Sequence, residues 1–261
     1  MKISVVTVCF NSAGTIADTL SSVAEQTHED LEHLVIDGGS MDDTLEIVQA
    51  HARPGTRVLS EPDKGIYDAM NKGIAAASGQ LVGFLNADDL FASPASVSLL
   101  AQAASRSDAQ AVYGDLVYVR ERDTSATVRR WRSGEFKPAR LPFGWMPPHP
   151  TFYARRQLLQ SIGGFDIGLR IAADYDLMLR LLKTPGLRVA YVPEVLVRMR
   201  MGGASNRDLQ GILRKSREDL VALRRTGVGG WGTLLMKNLR KLPQFFRSDA
   251  SPSCDRQGSA R

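Results

Sequence analysis

Five strand-length apolar runs, separated by stretches of helical period, fill the first 120 residues, and this alternation restricts the fold more than any other feature. KISVVTVCF (2–10) is a β-branched run, and the stretch after it sets Ile16, Leu20 and Val23 at helical spacing. LEHLVID (31–37) reads as a second strand, with Ser40 as the N-cap of a helix carrying Asp42 and Asp43 in its first turn. TRVLSE is a third strand, and GIYDAMNKGIAAASG a helix closing on Gly79. QLVGFLN is a fourth strand, Ser93-Pro94 opens the next helix, and QAVYGDLVYV (110–119) is a fifth strand. Crossovers of this kind predict an α/β fold: a mainly parallel sheet covered by helices on both faces. Ligands of such sheets collect beyond the carboxyl ends of the strands. Here those ends carry Asn11, Asp37, Glu61–Asp63 and Asn86–Asp89.

The fourth end, FLNADDL, sets Asp88 beside Asp89. Two carboxylates at ~4 Å and an effective dielectric of ~20 repel by roughly 4 kcal/mol, so a cation, a solvated turn or a helix terminus has to compensate. After residue 120 the pattern changes to a strand and polar turn (ATVRRWRSGEF), an aromatic and proline-rich stretch (LPFGWMPPHPTFYARR), an amphipathic helix (174–183) and a strand (187–193).

The net charge of +5 is uneven: residues 207–261 hold 12 Lys and Arg against 5 Asp and Glu, which leaves the rest slightly acidic. That distribution argues against a nucleic-acid-binding domain. A basic tail with Trp231, Leu234, Leu235, Phe245 and Phe246 among Lys237, Arg240, Lys241 and Arg247 fits either an anionic membrane surface or packing back on the domain. No apolar run reaches the length of a membrane span, the N-terminal stretch lacks the parts of a signal peptide, and Cys9 and Cys254 have no metal-ligand spacing. A cytoplasmic location is expected, extending to a peripheral position on the inner membrane face. P-loop, dinucleotide-fingerprint and hydrolase-elbow motifs are all missing.

The ordered segments ISVVTVCFN, VIDGGSMDDT, EPDKGIYDAMNKGI, GQLVGFLNADD and GGFDIGLRIAADYDLMLRL resemble glycosyltransferase family 2, over roughly residues 1–206. The resemblance implies the GT-A fold, a nucleotide-diphosphosugar donor, and a saccharide or lipid-linked saccharide acceptor. By it, residues 1–206 are the catalytic domain, with a nucleotide-sugar half (1–120) and an acceptor half (121–206). A helical basic extension (207–247) and a disordered tail (248–261) follow. Thr7, Asn11, Asp37, Asp63, Lys64, Asn86 and Asp89 are implied on the donor side, with Asp88 ligating Mg²⁺ or Mn²⁺. Asp174 is implied as the base of an inverting transfer.

Departures from the family pattern are Asn86 and Ala173, where many members carry acids, and a stretch VRMRMGGASN without the His some members supply. Arg198 and Arg200 lie there as possible partners of the diphosphate, and His149 lies on the acceptor side. Two rival activities fit parts of the pattern. A sugar-1-phosphate nucleotidyltransferase would need a glycine-rich basic loop after the first strand, which CFNSAGT does not supply. A non-catalytic nucleotide-sugar-binding protein is the other.

Overall fold

A computed structural model of the chain describes residues 1–202 and 209–240. The crossover half runs β1 (Ile3–Cys9), α1 (Ile16–Ala24), β2 (Leu31–Asp37), α2 (Thr44–His51), β3 (Arg57–Ser60), α3 (Ile66–Ala76) and β4 (Leu81–Phe84). Then come β5 (Leu90–Phe91), α4 (Ser96–Arg106), β6 (Ala111–Val119), β7 (Thr127–Trp131) and two 3₁₀ turns (Pro138–Phe143 and His149–Thr151). The remainder is β8 (Tyr153–Arg155), α5 (Arg156–Ser161), α6 (Ala173–Leu182), β9 (Val189–Arg200), α7 (Leu209–Arg225) and α8 (Trp231–Leu239).

Among the described residues one nine-stranded sheet runs through the molecule in the order β3-β2-β1-β4-β8-β6-β9-β5, with β7 beside β6. The first four strands are parallel, as the period pattern predicts. Further on the sheet becomes mixed: β8 lies antiparallel to both β4 and β6, and β9 returns parallel to β6. Every residue of β1 is buried, and its alternating side chains feed two cores. Val6 and Val8 pack with Tyr67, Met70 and Ile74 of α3, whereas Ile3 and Val5 pack with Val97 and Leu100 of α4.

Three expected helix ends shift. The helix after β2 begins at Thr44 rather than at Ser40, because the Ser40 hydroxyl bonds to Asp37 and to the Asn11 N–H. α4 begins at Ser96 with Ala95 as its N-cap, since the Pro94 carbonyl is taken by the Thr27 N–H. α3 ends at Ala76 with an extended Ala77, and Gly79 serves a different purpose. A Cβ at Gly79 would stand 2.6 Å from the Ser4 backbone nitrogen, so the chain passes there only without a side chain. The strand expected over 187–193 continues to Arg200, held along its length by β6.

The basic extension appears as α7 and α8. Lys237, whose segment the sequence allows either at a surface or packed on the domain, turns inward: its Nζ lies 2.8 Å from Asp219 and 3.3 Å from the centre of the Tyr175 ring. Trp231, Leu235 and Leu239 are exposed, one turn apart. Lys241, Phe245, Phe246, Arg247, the 206/207 boundary and the tail over 248–261 lie outside the described residues.

Gly83 in β4 gives a direct check of this packing. A Cβ there would lie 2.3 Å from Cε1 of Tyr153, a fully buried ring. Gly83→Ala is expected to destabilise the protein by about 1–3 kcal/mol through overpacking, read as a lower urea midpoint at unchanged m-value.

Candidate functional site

The polar rim begins where β1 and β2 end side by side. Asn11 takes a φ of 48°, a left-handed conformation that Asn tolerates better than most residues. Its Oδ1 accepts the Met41 N–H at 2.9 Å, and its own N–H donates to Ser40 Oγ at 2.8 Å. Asp37 is fully buried, and its carboxylate accepts from the Gly39 N–H (3.1 Å), the Ser40 N–H (3.0 Å) and Ser60 Oγ (2.7 Å). Burial pushes the Asp37 carboxyl up, but these donors outweigh it and hold the group below the ordinary carboxylate range. Asp37 therefore fastens the loops that form the rim. Asp63 accepts the Gly65 N–H at 2.7 Å, and its carboxylate fills the space beside Gly38, where a Cβ would meet Oδ2 at 2.4 Å. The Lys64 side chain is exposed at the same strand end.

Thr7 departs from its expected place. It is fully buried, with its hydroxyl 3.0 Å from Nε2 of the equally buried His33, so it stands under the sheet rather than at a ligand. The residue sits in the middle of β1, and alternation turns it into the α1/α2 layer.

At the end of β4 the adjacent carboxylates have different surroundings. Asp89 is fully buried, accepts the Arg200 N–H at 3.2 Å and lies 3.4 Å from Asn86 Nδ2. Burial, and then the charge of Asp88, push Asp89 well above the usual carboxylate range. Asp88 is half-buried. Burial raises its carboxyl too, while the nearby Arg200 cation pulls in the opposite direction. Arg200 itself is only 6% exposed and is fastened to Asp18 of α1. Its Nε and Nη1, together with Asn86 Oδ1, are buried polar atoms without a hydrogen-bond partner among the described residues. Each such atom costs about 1–3 kcal/mol, a cost that a bound ligand would remove. Arg198 of β9 is exposed, with its guanidinium 3.4 Å from the Ala92 carbonyl.

The third part is the N-terminus of α6. Asp174 is half-buried in its first turn, with Oδ1 anchored by the Tyr175 N–H at 2.7 Å and 3.3 Å from the Tyr67 hydroxyl. Its Oδ2 has no partner among the described residues. Four rings bridge this point to the end of β4. His149 stacks on Phe84 at 5.6 Å, Phe165 meets both edge-on, and Tyr67 stacks on Phe165 at 5.5 Å. Burial pushes the His149 imidazole down, against the pull of the Asp174 charge. The fold thus sets His149 where it feels the Asp174 charge, a proximity the sequence does not reveal.

Two other residues escaped sequence reading. Asn71 of α3 donates to the Phe165 carbonyl (2.9 Å) and accepts its N–H (2.8 Å). Arg180 of α6 reaches the carbonyls of Ile162 (2.6 Å) and Gly164 (2.7 Å) while paired with Asp176. Tyr67 and Asn71 form an i, i+4 polar pair on the helix of the EPDKGIYDAMNKGI segment, and that pair was the available signal.

Asp88 and the orphaned Asn86 Oδ1 are hard oxygen donors suited to Mg²⁺ or Mn²⁺. Among the described residues no three His, Cys, Asp or Glu gather to hold a metal on their own. The donor set therefore fits a cation whose shell is completed by a phosphorylated ligand, as Mg²⁺ sites commonly are.

Residues 4–171 match the family model described as Glycosyl transferase family 2. A PGL/p-HBAD biosynthesis glycosyltransferase of Mycobacterium bovis is 33% identical over 208 residues, covering 78% of each chain. Among solved structures, S. aureus TarS 1-349 in complex with UDP-GlcNAc is 20% identical with a TM-score of 0.64, covering 94% of this chain and 78% of that one. A mannosyltransferase from Pyrobaculum calidifontis, PcManGT, in complex with GDP-Man and Mn²⁺ is 18% identical at the same TM-score, covering 94% and 73%. At these identities the structural likeness is one of fold, a mixed sheet flanked by helices.

The rim's anchor has a pH signature. Asp37 is depressed in the folded chain, so its stabilisation is fully present above the unfolded carboxyl value near 4 and is lost as pH falls through the folded value. Asp37→Asn is expected to lose about 1.5–3 kcal/mol at pH 7. The gap to the parent should narrow below about pH 4, measured by denaturant unfolding across pH.

Proposed function

The chain belongs to glycosyltransferase family 2, and we propose that it transfers a sugar with inversion from a nucleotide-diphosphosugar to a hydroxyl of a saccharide or lipid-linked acceptor. The observation that carries the reading is Asp174: one oxygen is fastened at the start of α6 and the other is open to receive a proton. In a single displacement, that oxygen takes the proton of the acceptor hydroxyl as its oxygen bonds to the anomeric carbon. The bond from that carbon to the donor's diphosphate breaks, and its electron pair leaves with the nucleoside diphosphate. Burial of His149 makes its imidazole a weaker base, within reach of the Asp174 charge.

On the donor side, Arg200 offers two buried N–H groups and a positive charge near Asp88, suited to an anionic leaving group. Mg²⁺ or Mn²⁺ held by Asp88, Asn86 and the diphosphate would supply further neutralisation of that group. Asp37, Asn11, Asp63 and Lys64 border the same edge and are assigned to the nucleotide side. Asp89 stands behind the rim, where it fixes Arg200 and Asn86. UDP-GlcNAc and GDP-Man, bound by the structural neighbours, are the donors to try first. The relative named for PGL/p-HBAD biosynthesis supports a place in glycan assembly.

Among the described residues no helix is long and apolar enough to cross a membrane. Trp231 and Leu235 on α8 are 65% and 60% exposed, and the neighbouring helix α7 exposes Arg214, Arg217 and Arg224. Apolar anchors with cations support peripheral attachment to an anionic bilayer.

Two experiments test these readings. Asp174→Asn should lower donor turnover by roughly a hundredfold or more while nucleotide-sugar binding, with and without Mn²⁺, stays near the parent's. Turnover at the parent's rate would remove the base assignment. The pair Trp231→Glu and Leu235→Glu should abolish flotation with phosphatidylserine vesicles and leave donor turnover unchanged. Flotation equal to the parent's would refute the membrane surface.

A further inference from the structure

α6 starts without a cap of its own. Its N-cap is Ala172, no side chain nearby in sequence caps it, and the run Arg170-Ile171-Ala172-Ala173 offers no short polar side chain. The loop that leads into this helix is instead held from α7. Glu218 Oε2 takes the N–H groups of Ile171 (2.8 Å) and Ala172 (2.9 Å), and Oε1 takes that of Arg170 (3.2 Å). The carbonyl of the same Ile171 is held from the other side by the Tyr67 hydroxyl at 2.7 Å. One residue thus has its N–H fixed from the C-terminal helices and its C=O fixed from α3. Asp174 follows three residues later, within 3.3 Å of that Tyr67 oxygen.

Two more contacts tie α7 to the surroundings of this loop. Arg225 pairs with Asp166 at 2.5 Å, and Lys183 Nζ meets the Thr226 carbonyl at 2.5 Å. These lie at the rim of the contact and are exposed, so they add little energy. The Glu218 bonds differ in kind: one carboxylate serves three consecutive N–H groups of the loop that enters α6. Their geometric effect is to set the height and rotation of the first turn of α6, and hence the direction of the Asp174 carboxylate.

We propose that Glu218 is a positioning residue of the transfer reaction, acting on Asp174 through the backbone of residues 170–172; this rests on the reading of Asp174 as base. It makes α7 part of the catalytic apparatus although nothing in α7 is required to touch substrate. Misplacement of a reacting group by about 1 Å costs on the order of a hundredfold in rate.

The test uses the full chain with Glu218→Ala and Glu218→Gln. UDP-GlcNAc and GDP-Man serve as donors, and release of the nucleoside diphosphate is followed. Glu218→Ala is expected to lower kcat roughly ten- to hundredfold with the donor KM within about twofold of the parent's. Glu218→Gln, which keeps one acceptor oxygen, should fall between the two, and it carries the test if the alanine variant does not fold. Hydrogen exchange of the amides over 166–173 should quicken at least about tenfold in Glu218→Ala, with β1 and β2 unchanged. An unaltered kcat, or a loss confined to donor KM, overturns the proposal, as does unaltered exchange. If Asp174→Asn is dead while Glu218→Ala turns over normally, only the positioning role fails. Normal turnover by Asp174→Asn removes both claims. The exchange measurement needs no donor, and it decides whether Glu218 holds the loop should neither sugar nucleotide be turned over.

Discussion

Parallel pairing of β1, β2, β3 and β4 puts their carboxyl ends on one edge, and the site depends on that constraint. Loops that crowd one edge have many backbone N–H groups to satisfy. Asp37 takes two of them and two serine hydroxyls, and Asn11 ties the neighbouring loop to the same network. The polar rim is therefore a cross-linked surface rather than a set of independent turns. Its acids divide into those consumed by this bonding and those left over for a ligand.

The adjacent acids at the end of β4 show how a costly pair is tolerated. Desolvation favours the neutral form of Asp89, and the Arg200 charge acts on both carboxyls in the opposite direction. Removing two charges from water would be prohibitive without such an arrangement. The same guanidinium is incompletely bonded, so the fold retains free-energy cost at this point that an anion can relieve.

Much of this was legible in the sequence because it is carried by short-range periodicity. Strand parity, the crossover order and the placement of Asp174 in the first turn of α6 follow from residues a few positions apart. The errors have physical causes. Ser40 looks like an N-cap, but a hydroxyl opposite a buried carboxylate bonds there first. Thr7 belongs to a strand whose end carries the rim, but alternation points it at His33. For Lys237 the sequence leaves a surface and an inward position open, and Asp219, 18 positions earlier, compensates it on the inward side. Glu218 and His149 act through contacts that bring together distant parts of the chain, and no local pattern announces those.

The buried Lys237 joins α8 to α7 through Asp219 and to α6 through the Tyr175 ring. A chimera that spliced a foreign C-terminus onto this chain near residue 206 would leave Tyr175 uncovered and strip the neighbour of Asp174 of its lid. Recombination at that seam is thus constrained by electrostatics as well as by shape. Sequence drift in the last two helices is expected to be paced by the helix they clasp, even though their outward faces are free to vary.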